Sequence, residues 1–153
     1  MKTITGLMML AAWSIAAPPA MAKPCTPASA AGIWSLVSIR AAEPGVEDFY
    51  RTAPNEIMRF TATGGFMYVA SNRPFAAAEA ARRLDAADAR DGTTYRYSIA
   101  RTGTMTILRD GTPFQTFQCT IADAAGNVAQ PGDMILTNAP GASMLRRVQR
   151  KVR

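Results

Sequence analysis

The chain has 153 residues, with 17 basic and 11 acidic side chains, a formal net charge of +6 and no histidine. That length supports one packed core and one domain. Without histidine, Ser-His and Cys-His catalysis and the commonest zinc ligand are unavailable, which excludes most hydrolase and metalloenzyme classes.

Residues 1–22 read as a secretory leader. Lys2 supplies the charged start, an apolar run follows, Pro18-Pro19 breaks it, and Ala20-Met21-Ala22 gives the small-x-small cleavage pattern. Residues 23–153 are then the mature domain, expected to be periplasmic or secreted. No later apolar run approaches the roughly 20 residues that a membrane helix needs. Removing Lys2 with the leader lowers the net charge to +5 (16 basic against 11 acidic). Such a balance serves solubility, and no nucleic-acid partner is expected of an exported chain. The two cysteines, Cys25 and Cys119, predict one disulfide in an oxidising compartment.

Lys23 to Ala31 is an extended lead-in rich in Pro, Ala, Ser and Thr. Gly32 to Arg40 is a first strand, and Ala41 to Thr52 an acidic loop. Glu56–Thr61 and Gly65–Ala70 form a hairpin around Thr63-Gly64-Gly65. Residues 74–89 carry the one strong helix pattern, with Pro74 in the first turn, Asp91-Gly92 as the stop, and Glu79 and Arg83 four apart. Its apolar face of Ala77, Ala80, Ala81, Leu84 and Ala87 is small, so the helix lies on a larger structure.

Strands then resume at Thr94–Ala100 and Thr104–Arg109. Asp110-Gly111 turns the chain into Thr112–Ile121, and a polar loop runs to Gly132. Met134–Thr137 and Met144–Val148 close the series, joined through Asn138 to Gly141. About eight strands linked mostly by tight turns predict an all-β antiparallel meander that curls into a small barrel, with the helix inserted.

Gly32-x-Trp34 at the start of the first strand, with Arg146-Arg147 in the last, resembles the bacterial lipocalin-like (calycin) barrels. So does Gly65-Phe66-Met67-Tyr68 in the hairpin. The resemblance implies that Gly32 and Trp34 close the barrel floor and that an arginine of the last strand packs across the indole, a contact worth about 0.5–2 kcal/mol. Arg146 is the expected arginine, because it alternates in phase with Met144 and Val148.

In such a barrel, alternation points Trp34, Met58, Phe60, Phe66, Tyr68, Tyr95, Tyr97, Met105, Ile107 and Phe117 inward. These residues either fill the core or line a pocket for one small apolar or amphiphilic molecule. Glu56 is in phase with Met58 and Phe60, which places a carboxyl where burial raises its pKa. Three functions follow: lumenal binding of such a molecule, interaction with or inhibition of an envelope protein, and a cofactor-free isomerase or cyclase using Glu56. With no phosphate loop, zinc spacing or nucleophile–base pair, no cofactor and no metal is expected.

Overall fold

A computed structural model describes residues 22–41, 52–92, 94–138 and 145–152. The expected leader up to Met21, most of the acidic loop, the turn at residues 139–141 and the Met144 strand start lie outside the described residues. The elements in chain order are β1 (Lys23–Pro24), α1 (Pro27–Ala30), β2 (Gly32–Ala41), β3 (Asn55–Phe60), β4 (Phe66–Ser71), α2 (Ala77–Asp91), β5 (Tyr95–Ile99), β6 (Thr104–Arg109), β7 (Thr112–Ile121), β8 (Met134–Asn138) and β9 (Leu145–Lys151).

The pairing order is β4-β3-β2-β9-β8-β7-β6-β5, antiparallel throughout. Neighbours in sequence pair along both arms, and the first long strand pairs with the last, so the meander curls into a nearly closed eight-stranded barrel. The remaining seam lies between β4 and β5, where one bridge joins Gly65 to Arg96. Low on that seam, Tyr97 N–H donates to the Gly64 carbonyl at 2.8 Å, and its hydroxyl donates to the Thr61 carbonyl at 2.8 Å. Arg96 Nη2 donates to the Thr63 carbonyl at 2.8 Å. Above those bonds the two strands separate.

Alternation decides what each face buries. Trp34, Met58, Phe60, Tyr97, Met105, Ile107, Phe117 and Leu136 form the inner core. The opposite face of β3 and β4 presents Ile57 and Met67, and α2 covers them with Ala80 and Leu84. The helix begins at Ala77 rather than residue 74, because Ala76 is still extended (ψ 143°). It ends at Gly92 in the left-handed region, and Arg83 Nε donates to Glu79 Oε1 at 2.7 Å along its exposed side. No helix among the described residues is long and apolar enough to cross a membrane.

The N-terminal lead-in holds more structure than its composition suggests. Thr26 and Ser29 cap the single turn of α1 reciprocally, with Pro27 at its first position. Ala30 of that turn is fully buried in the inner core. Cys25 is joined to Cys119 with Cα atoms 5.4 Å apart, and Cys25 N–H donates to the Cys119 carbonyl at 3.0 Å.

Candidate functional site

The strand directions put the lead-in, the β3–β4 turn and the β5–β6 turn at one end of the barrel, which they close as a floor. Trp34 is the centre of that floor: 1% exposed, its indole N–H donating to the Ala30 carbonyl at 2.7 Å. Arg146 does not cross the indole as expected. It points outward, exposed, between Arg40 and Thr137 on the neighbouring strands. Lys151 takes the place instead, its Nζ 5.3 Å from the Trp34 ring centre. Gly32 makes room for it: φ is +135°, and a Cβ there would fall 2.5 Å from Lys151 Cε. Gly103 serves the floor in the same way, since at φ +83° its missing Cβ lets the Cys119 carbonyl approach.

The error over Arg146 is one of phase, and β9 explains it. Leu145, Arg147, Val148 and Gln149 are all buried, so the strand shows no simple alternation. Val148 is apolar, but it packs outward with Ala122, Ala129 and Ile135 beneath the loop that follows β7. That loop is pinned by Asp133, whose two carboxylate oxygens accept from Arg150 Nε at 3.0 Å and Nη2 at 2.8 Å. The inward series of β9 is therefore Arg147, Gln149 and Lys151.

Above the floor the barrel holds a cavity of about 590 Å³. Eight of the ten residues expected inside reach its wall: Met58 and Phe60 from β3, Phe66 and Tyr68 from β4, Tyr95 from β5, Met105 and Ile107 from β6, and Phe117 from β7. Trp34 and Tyr97 sit in the floor and do not line it. The wall also takes Gln115, Leu136 and Arg147, and it reaches Met67 and Ala87, which belong to the cluster between the outer sheet face and α2, so the cavity is not confined to the barrel interior. Aromatic rings run from floor to rim in contact: Phe60 to Phe66 at 5.1 Å, Phe66 to Tyr95 at 6.4 Å, and Tyr95 to Phe114 at 6.3 Å. Phe114, at the end of that series, is 53% exposed.

One polar cluster interrupts the apolar interior. Gln149 Nε2 donates to Glu56 Oε1 at 2.7 Å, 93 residues away in sequence. Glu56 is 1% exposed and Gln149 wholly buried, and among the described residues Glu56 Oε2 and Gln149 Oε1 have no hydrogen-bond partner. Burial pushes the Glu56 carboxyl above its ordinary range, against the opposing pulls of the Arg147 charge and the Gln149 bond. Arg147 stands next along β9, 7% exposed, its guanidinium 5.7 Å from the Phe117 ring centre. Of these three only Arg147 belongs to the cavity wall. Glu56 and Gln149 are not among the residues that line it, and Glu56 is buried as its phase with Met58 leads one to expect.

Sequence reasoning found Glu56 by its phase with Met58 but missed Gln149 and Arg147. The single available signal was the Arg147-x-Gln149-x-Lys151 alternation, hidden by the buried valine between them. Comparison of the chain with protein-family models, with curated proteins and with solved structures gives no match.

Proposed function

We propose that this protein is an exported binding protein that carries one small apolar or amphiphilic molecule inside its barrel. The observation that supports this reading is the cavity of about 590 Å³, within the roughly 300–1,000 Å³ of small-molecule sites. Its wall is mostly aromatic, aliphatic and thioether, with a few convergent polar groups, the composition such sites use. The methionines Met58 and Met105 add a lining that reshapes at low cost. A disulfide and a capped, cross-linked floor suit a protein that works outside the cytoplasm. The likeness of Gly32-x-Trp34 to lipocalin-like barrels points the same way.

The test uses N-phenyl-1-naphthylamine, a neutral dye that brightens in apolar surroundings. Saturable binding at one dye per chain is expected. Ile107→Trp, which fills the lumen, should abolish it while the circular dichroism spectrum stays unchanged. Equal dye binding by the filled barrel would place the dye elsewhere and defeat the proposal.

A further inference from the structure

We propose that the binding site continues out of the lumen, around the edge of β4, into a second compartment beneath the last turns of α2. Its occupant is a flexible unbranched chain long enough to reach from one compartment to the other; this deepens the lumenal-binding reading above and rests on it. What carries the inference is the pair of faces that one cavity touches. Phe66 and Tyr68 alternate with Met67 along β4, and all three line the same cavity. Phe66 packs against the inner core, whereas Met67 is buried with Ile57, Ala80 and Leu84 between the sheet and the helix. A single space that meets both faces of a strand has to pass round that strand's edge.

The topology leaves that edge open. One side of β4 is paired to β3 along its whole length, from Phe60 with Phe66 to Asn55 with Ser71, and β4 stands last in the pairing order. Towards β5 the described residues show one bridge, Gly65 to Arg96, just below Phe66. The Phe66 and Tyr95 rings meet edge-on at 6.4 Å across the seam above that bridge and form the lower lip of the passage.

The helix explains why room remains outside. α2 ends at Asp91 and β5 starts at Tyr95, so connectivity holds its last turns beside the head of the seam. Leu84 fills the gap between helix and sheet and is fully buried. Ala87 follows on the same helix face, three residues on. It has no atoms beyond Cβ to reach the sheet, and it lines the cavity together with Met67.

The bend selects the ligand. A rigid fused-ring molecule occupies one compartment or the other. A saturated chain turns the corner through staggered rotations of low cost and buries a methylene at each step on either side. Met58 in the lumen and Met67 under the helix are unbranched and polarisable, so both compartments adapt to it.

The experiment uses the disulfide-bonded protein and two photoreactive hexadecanols delivered from methyl-β-cyclodextrin, one with a diazirine near the hydroxyl end and one near the methyl end. On irradiation, one of the pair should insert into α2 or Met67, and the other into lumen residues such as Met105 and Phe117. If neither labels α2 or Met67, the second compartment is overturned while lumenal binding stands. Ala87→Trp fills the space under the helix. In that variant, displacement of N-phenyl-1-naphthylamine should show the affinity of hexadecanol relative to rigid 1-pyrenemethanol falling at least about tenfold, as when two methylenes lose their burial. An unchanged ratio in the folded variant also overturns the proposal, and labelling of the wild type decides the question if the variant does not fold. Failure of the dye and of both hexadecanols to bind defeats the lumenal reading itself.

Discussion

The two ends of the β4–β5 seam are built differently. At the floor, the seam is held by a strand bridge and three hydrogen bonds from Arg96 and Tyr97, and the same end of the barrel carries the disulfide between the lead-in and β7. Higher up, pairing stops and the alanine- and leucine-bearing face of α2 covers the outside of β3 and β4. The lower end is fixed by directional bonds and a covalent link. The upper end rests on apolar contact, which is non-directional and reforms after opening.

Breaking the floor should have the largest effect. Cys25 and Cys119 are 94 residues apart, and opening a loop of that length costs about 4–5 kcal/mol in the chain-entropy model. Chemical unfolding of the Cys25→Ala/Cys119→Ala protein should show that loss. Hydrogen exchange should find β1, α1 and the end of β7 unprotected first. A loss below about 1 kcal/mol would mean that Trp34, Ala30 and Lys151 hold the floor without the bond.

Loosening the helix should come next. Leu84 is fully buried between α2 and the outer faces of β3 and β4, and Leu84→Ala is expected to cost about 2–4 kcal/mol. Its signature should differ from the floor variant: exchange rises in α2 and β4, while β7 and the disulfide region stay protected. Uniform loss of protection across the barrel would make the two ends one cooperative unit and erase the contrast.

Where local chemistry acts alone, the sequence was enough. Thr104–Arg109 and Thr112–Ile121 form strands with the expected bounds, because Asp110-Gly111 fixes their hairpin and each strand buries one face. The helix stop at Gly92 and the Cys25–Cys119 bond follow from equally local or categorical signals. What failed was phase and long-range company. β9 buries both faces, one against the lumen and one beneath the loop pinned by Asp133, so no alternation separates Arg146 from Arg147. The pairing of Glu56 with Gln149 depends on β3 and β9 flanking β2, which only the closed sheet establishes. Composition likewise does not tell a filled lumen from an open one, since the same aromatic residues line either.

The smallest expected effect concerns the buried carboxyl, and its sign is informative. Burial places the Glu56 pKa above that of the unfolded chain, with Arg147 and Gln149 only partly opposing it. Between the two values the folded state binds more protons than the unfolded one, so stability falls as pH rises through that interval. The favourable contribution is complete below the ordinary carboxylate value of about 4.3. It is lost once pH passes the folded value. Glu56→Gln removes the titration, keeps an acceptor for Gln149 Nε2 and supplies an N–H for Gln149 Oε1. At pH 8 the variant should therefore be more stable than the wild type by about 1 kcal/mol, and at pH 4 indistinguishable from it. Thermal unfolding at the two pH values measures both. A variant less stable at pH 8 would show that the charge of Glu56 is worth more to Arg147 than its burial costs.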